Sequence, residues 1–113
     1  MMALLLAAPF ISGCKRKAES VAGNHYEFQN FWTSGPGEYN IQVDFNKDKS
    51  MTFVNDTASL TGTWNAVEEV LLFTLNNPPN NTAYRGTFDK DGISGNMRDE
   101  LGDSGIFYGA RIK

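Results

Sequence analysis

Strict alternation of apolar and polar side chains over residues 38–45 constrains the fold of this chain more than any other feature. The apolar members share one parity and the polar members the other: Tyr39, Ile41, Val43 and Phe45 against Glu38, Asn40, Gln42 and Asp44. A period of two over eight residues predicts an antiparallel strand with one face buried and one face in water.

Seven further segments are predicted to be strands, from alternation or from short apolar runs between polar breaks: 25–32, 50–54, 59–65, 68–75, 84–88, 93–97 and 105–112. A helix competes over 65–75, but the run is short and the Asn- and Pro-rich segment 76–81 ends it as a loop would. Short connections favour pairing between neighbours in sequence, and closure removes exposed sheet edges. The chain is therefore predicted to be all-β, a small antiparallel up-and-down β-barrel of about eight strands, with an open β-sandwich as the alternative.

Several short motifs resemble the calycin group, especially the lipocalin-like and avidin-like domains of bacterial lipoproteins. They are Asn30-Phe31-Trp32, Ser59-Leu60-Thr61-Gly62-Thr63-Trp64, Tyr84-Arg85-Gly86-Thr87-Phe88, Asp91-Gly92-Ile93-Ser94-Gly95-Asn96-Met97 and Gly105-Ile106-Phe107. The resemblance implies that the Trp of the first strand, Trp32, is covered by an Arg near the end of the chain, Arg111, with the guanidinium stacked on the indole.

The same resemblance implies a small apolar or amphipathic ligand in the interior or mouth of the barrel. The aromatic side chains expected to line such a cavity are Tyr39, Phe45, Phe53, Trp64, Phe73 and Phe88. The alternative is that they fill the interior as a packed core, because an eight-stranded barrel has room for side chains or for one small ligand. Trp64, amid the densest apolar region, is predicted to be buried in either case.

The N-terminal segment carries a second resemblance. Residues 3–11 are uncharged and apolar but too short to span a bilayer, and Ser12 and Gly13 lead directly into the single cysteine, Cys14. This order resembles the lipobox of bacterial lipoproteins, although no Lys or Arg precedes the apolar run. The alternative is a buried segment in which Cys14 is a small core residue.

The lipobox resemblance implies a signal peptide at 1–13, a lipidated Cys14 with a tether at 14–24, and a barrel domain at 25–113. The protein would then be held at the membrane of the cell envelope by its lipid, with the basic residues 15–17 beside the headgroups. Because Lys15 follows the cysteine, the resemblance implies an outer-membrane protein facing the periplasm where the cell has two membranes.

Charge and composition exclude several functions. Beyond residue 23 the chain has twelve Asp and Glu against seven Lys and Arg, a net charge of about −5, which disfavours nucleic-acid binding. A single His and a single Cys leave no Cys–His metal site and no nucleophile–base set, so we expect neither a cofactor nor an enzyme. Acidic residues at 89–103 are interpreted as solvated turn carboxylates; the alternative is a calcium site where the two loops meet.

Two functions follow from these features. The first is an envelope lipoprotein with a lipocalin-like barrel that binds a small apolar ligand. The alternative is an envelope structural or assembly protein that docks a partner through the outer barrel face, where Val70 and Leu72 are expected to be exposed.

Overall fold

Eight antiparallel strands form a closed barrel in the computed structural model, which describes residues 21–56 and 58–112. The strands are β1 (Asn24–Trp32), β2 (Gly37–Phe45), β3 (Ser50–Val54), β4 (Ser59–Val67), β5 (Val70–Asn76), β6 (Thr82–Phe88), β7 (Gly92–Asp99) and β8 (Ser104–Ile112). Each strand pairs with its neighbours in sequence, and β1 pairs with β8 to close the sheet. The predicted all-β up-and-down barrel is confirmed, and the open sandwich is wrong. The predicted signal peptide and Cys14 lie outside the described residues.

Aromatic rings fill the middle of the barrel. Phe28 stacks on Phe107 with ring centroids 5.4 Å apart, and Phe73 stacks on Tyr84 at 4.4 Å. Phe45 meets Phe73 edge-on at 5.3 Å, and all five side chains are at most 3% exposed. Edge-to-face and offset contacts of this kind add to the free energy gained by burying apolar area. The central part of the barrel is therefore a packed core.

Glycines on β6 and β8 leave space for these rings inside the barrel. Gly109 lies opposite Phe28 in the β1–β8 ladder, and a Cβ atom there would overlap the Phe28 ring. Gly86 plays the same part for Phe107, whose Cζ would lie 2.9 Å from an added Cβ. Gly109 and Gly86 thus accommodate rings of the aromatic core.

The two ends of the barrel differ. We call the end with the connections at residues 33–36, 55–58, 77–81 and 100–103 the mouth, and the opposite end, with the connections at 46–49, 68–69 and 89–91, the base. Val21 is fully buried at the base, and the Gly23 amide donates a hydrogen bond to the Phe45 carbonyl. At about 3.3 Å per residue, β1 runs for roughly 26 Å along the strand from the base to the mouth.

A β-bulge in β2 changes which side chains enter the mouth. Phe28 pairs with Ile41 but Asn30 pairs with Glu38, so β2 has one more residue than β1 in this interval. Asn40 takes up the extra residue with φ of 59°, a left-handed conformation that Asn tolerates better than most residues. Glu38 consequently points inward with Ile41.

The prediction that Tyr39 faces the interior is therefore wrong. Tyr39 is 54% exposed and meets the ring of Phe31 edge-on at 5.7 Å on the outer surface. In the sequence, apolar and polar residues alternate without interruption through the bulge. In the folded strand, the side chains on either side of the bulge do not keep this alternation between inner and outer face, because the extra residue shifts their parity by one.

Candidate functional site

An open cavity of about 470 Å³ occupies the mouth of the barrel. Its volume falls in the range of sites that bind small molecules. One wall is apolar, formed by Phe53, Leu60 and Leu75 of β3 to β5, and the wall contributed by β1 and β2 carries Trp32 and Glu38. The cavity thus offers both an apolar surface and polar groups.

Asn30 and Tyr84 carry the deepest polar groups of this cavity. Asn30 is 1% exposed, and its Nδ2 donates a hydrogen bond of 3.0 Å to the Tyr84 hydroxyl. Burial raises the pKa of Tyr84, more than the hydrogen bond from Asn30 lowers it, so its hydroxyl is neutral near pH 7. The Asn30 Oδ1 is buried without a hydrogen-bond partner. An unmet buried acceptor is costly, and a bound ligand that donates a hydrogen bond would satisfy it.

Glu38 organises the wall above these groups. Its Oε1 accepts a hydrogen bond of 2.7 Å from Trp32 Nε1 and a longer one of 3.5 Å from Asn30 Nδ2. The carboxylate therefore fixes the orientation of the indole and links it to Asn30. This contact exists because the bulge of β2 turns Glu38 into the barrel.

The predicted stacking of Arg111 on Trp32 is wrong. Arg111 pairs with Tyr26 in the β1–β8 ladder, six residues before Trp32, which places the two side chains about 20 Å apart along the strand. Arg111 instead donates a hydrogen bond of 3.3 Å to Asn24 Oδ1 at the base. A capping Arg from the last strand would have to lie near residue 105, where this chain has Gly105.

The rim of the cavity is acidic. Desolvation opposes ionisation of Asp99, but hydrogen bonds from Asn80 and from backbone amides outweigh it and hold the pKa of Asp99 below its usual value. Asp103 accepts a hydrogen bond of 2.6 Å from Ser34 across the mouth. Of the described residues that line the cavity, the charged ones are Glu38, Asp99 and Asp103. The site is therefore negatively charged.

The alternative of a calcium site between the acidic loops is contradicted by the topology. Asp89 and Asp91 lie in the β6–β7 connection at the base, whereas Asp99 and Asp103 flank the β7–β8 connection at the mouth. Asp89 Oδ1 instead accepts hydrogen bonds from the amides of Asp91 and Gly92, as turn carboxylates do. Across residues 21–56 and 58–112, no group of three or more His, Cys, Asp or Glu side chains could hold a metal ion.

The six aromatic residues predicted to line a ligand cavity divide into three groups. Only Phe53 lines the mouth cavity. Four others are buried, at most 6% exposed, in the core cluster and not around the cavity: Phe45, Trp64, Phe73 and Phe88. Tyr39 is the exposed exception described above. The predicted burial of Trp64 is confirmed, at 3% exposed.

Sequence reasoning missed the polar residues of the site. Asn30 shares its parity with the core residues Tyr26 and Phe28, so a buried polar position could have been inferred from the strand pattern. Glu38 gave no such signal, because its place in the alternating segment put it on the solvent face.

Comparisons with protein-family models, curated proteins and solved structures found no significant match to this chain. Within the described ranges, none of the helical structure is long and apolar enough to cross a membrane. The function must therefore be argued from the geometry of the mouth and from the sequence pattern of the N-terminal segment.

Proposed function

We propose that this protein is a lipid-anchored lipoprotein of the cell envelope whose barrel binds a small amphipathic ligand at its mouth. The observation that carries the ligand proposal is the buried Oδ1 of Asn30, an acceptor without a partner on a residue that lines a cavity of about 470 Å³. Folded proteins rarely leave such an atom without a partner, so the group is suited to a hydrogen bond from a bound molecule.

The ligand occupies the mouth and not the centre of the barrel. Stacked rings take up the space that an interior ligand would need, as the 4.4 Å contact between Phe73 and Tyr84 illustrates. At the mouth, an apolar body can lie against Phe53, Leu60 and Leu75 while a polar group reaches Asn30. An amphipathic molecule satisfies both walls.

The anchor rests on the lipobox resemblance around Cys14. Val21 lies seven residues after Cys14, and even a fully extended chain of that length spans only about 25 Å. A lipid on Cys14 would therefore hold the base near the membrane. The mouth, at the other end of β1, would open to the aqueous side and take its ligand from solution.

Intrinsic fluorescence tests the ligand proposal, because one Trp lies at each end of the barrel. In the variant Trp64→Phe, the remaining Trp32 should change its emission saturably when small phenyl or alkyl compounds with cationic, neutral or anionic head groups are titrated. In the matched variant Trp32→Phe, emission from Trp64 should stay constant. A panel that moves neither signal, or both alike, would contradict a site at the mouth.

Metabolic labelling with a fatty acid tests the anchor. Wild-type protein should carry the label and fractionate with membranes, because acyl chains contribute about 0.8 kcal/mol of membrane affinity per buried methylene. Cys14→Ser should remain unlabelled, because it lacks the thiol that would carry the lipid. An unlabelled wild-type protein would overturn the lipoprotein proposal and leave the ligand proposal intact.

A groove of about 610 Å³ on the outer face favours partner docking as a second candidate. It contains Leu72, 41% exposed as expected, and Ile106, 58% exposed, beside Arg85 and Arg98, whereas Val70 is only partly exposed and lies outside it. This combination suits a polypeptide segment with an acidic side chain between apolar ones.

Arg85→Glu should abolish co-purification of such a partner from the envelope, and Lys47→Glu at the base should preserve it. Equal recovery with both variants would reject the groove as a docking site.

A further inference from the structure

We infer that the ligand of the mouth carries a protonated nitrogen, an alkyl- or arylammonium group, which binds between Glu38, Asn30 and Trp32. The inference rests on the proposed function, since it names the chemical class that the mouth selects. It follows from three properties of the described lining residues: the hydrogen-bonding capacity they leave unused, their charge and their aromatic surface.

Apart from the Tyr84 O–H, the unused capacity at the inner end of the site consists of acceptors. Asn30 commits its Nδ2 to Tyr84 and Glu38, which leaves the buried Oδ1 without a donor. A carboxylate has about four acceptor positions on its two oxygens, and among the described residues Glu38 Oε1 receives bonds from Trp32 and Asn30. A ligand that complements these groups must donate, and an ammonium group donates up to three hydrogen bonds without offering an acceptor.

The charge of the site selects the same group. Glu38, Asp99 and Asp103 surround the cavity, and no Lys, Arg or His is found among the described residues that line it. A carboxylate or phosphate ligand would bring like charges together in a partly enclosed space, whereas a cation gains attraction from all three side chains. Among the described residues, no group of three or more His, Cys, Asp or Glu side chains could hold a metal ion, which favours an organic cation.

Trp32 supplies an aromatic surface beside the carboxylate. Its Nε1 donates a hydrogen bond to Glu38, which holds the indole beside the carboxylate that would bind the nitrogen of the ligand. Cations bind favourably over the face of an indole, and this chain contains one example, with Lys49 Nζ 4.2 Å from the Trp64 ring centroid. At the mouth, Trp32 lines the cavity, where the cation of a ligand would make the same kind of contact.

Isothermal titration calorimetry on the full chain with three matched probes tests the inference. 2-Phenylethylamine, 2-phenylethanol and 3-phenylpropionate share a phenyl body and differ in head group. We expect the amine to bind at least tenfold more tightly than the alcohol and the propionate to bind most weakly.

The variant Glu38→Gln should weaken amine binding about five- to tenfold and change alcohol binding less than twofold. Glu68→Gln, the same substitution on an exposed residue at the base, should leave all three affinities unchanged. Preference for the alcohol or the propionate, or an unaffected amine affinity in Glu38→Gln, would overturn the inference while the mouth site stands. Failure of all three probes to bind would overturn the proposed site itself.

A free amine and a lysine side chain offer the same ammonium group, and a further arm separates them. Tighter binding of Nα-acetyl-lysine N-methylamide than of n-butylamine would assign the group to a polypeptide, and the reverse order to a free small molecule. Either order supports recognition of an ammonium group; binding of neither probe counts against it.

Discussion

The mouth and the base each contain one Trp whose Nε1 donates a hydrogen bond, but to different kinds of partner. At the base, Trp64 donates to the Asn46 carbonyl at 2.9 Å and is covered by Lys49. At the mouth, Trp32 donates to the Glu38 carboxylate and borders an open cavity. A backbone carbonyl and a covering Lys complete a closed core, whereas a carboxylate leaves charge and acceptor capacity for another molecule. The comparison teaches that the base is built as a closed core, whereas the mouth keeps polar groups available for the binding proposed above.

Trp64→Ala should have the largest effect, because it removes a ring that is 97% buried at the base. We expect a loss of about 3–5 kcal/mol in the free energy of unfolding. Trp32→Ala should cost less than half as much, since its ring is only partly buried. Denaturant melts of both variants measure the difference, and equal losses would remove the distinction between the two ends.

Gly109→Ala should come next, with a loss of about 1–3 kcal/mol, because the added methyl group collides with the Phe28 ring in a filled core. Gly35→Ala in a mouth connection is the control. An added Cβ there meets nothing within 4 Å, so its midpoint should match that of the wild type. An unchanged midpoint for Gly109→Ala would show that the core can rearrange to accommodate the added methyl group.

Asn30→Leu should lower the free energy of unfolding by no more than about 1–3 kcal/mol, because it removes a buried acceptor that has no partner but also the donor of the hydrogen bond to the Tyr84 hydroxyl. Binding of 2-phenylethylamine should nevertheless be lost. Calorimetry and denaturant melts on the same sample check the two halves. A variant whose free energy of unfolding falls by several kcal/mol more than this would show that Asn30 mainly stabilises the fold, and would weaken the contrast between mouth and base.

His25 should give the smallest effect, through the pH dependence of stability. Its hydrogen bond to Asp44, at 2.5 Å, raises the pKa of His25 above 6.5, aided by Gln42 and opposed by burial. Because the folded value is the higher one, this contribution is fully present below pH 6.5 and is lost as the pH rises through the folded pKa. Both side chains are at least one-third exposed, so the effect should stay below about 1 kcal/mol.

Thermal melts of the wild type and His25→Gln at pH 5.5 and pH 8.5 would check this. The wild type should have the advantage at pH 5.5 only. An advantage that grows towards pH 8.5 would reverse the sign of the linkage.

The fold followed from the sequence because alternation along each strand and short polar connections leave few arrangements other than a meander. Leu71, Phe73 and Leu75 face inward as their parity predicts. The binding chemistry did not follow in the same way. Parity gives the face of a side chain but not its height along the barrel, so Trp32 and Arg111 were paired although they lie near opposite ends.

Nor does parity reveal where a strand gains a residue. Asn40 is a residue type that tolerates positive φ, yet nothing in the alternating pattern around it marks an interruption. The position of Glu38 in the site therefore required the register of β2 against β1.

That register ties the direction of Glu38 to the length of β2 as well as to residue identity. Glu38 faces inward opposite Asn30 because Asn40 is accommodated as an extra residue. Loss of Asn40 alone would restore unbroken pairing and leave Glu38 two residues from Ile41, still facing inward, with Tyr39 still on the outer surface. The proposed preference for an amine should therefore survive this deletion. Loss of both Tyr39 and Asn40 would instead place Glu38 next to Ile41 and turn it outward, so titration with the three phenyl probes should then show no preference for the amine.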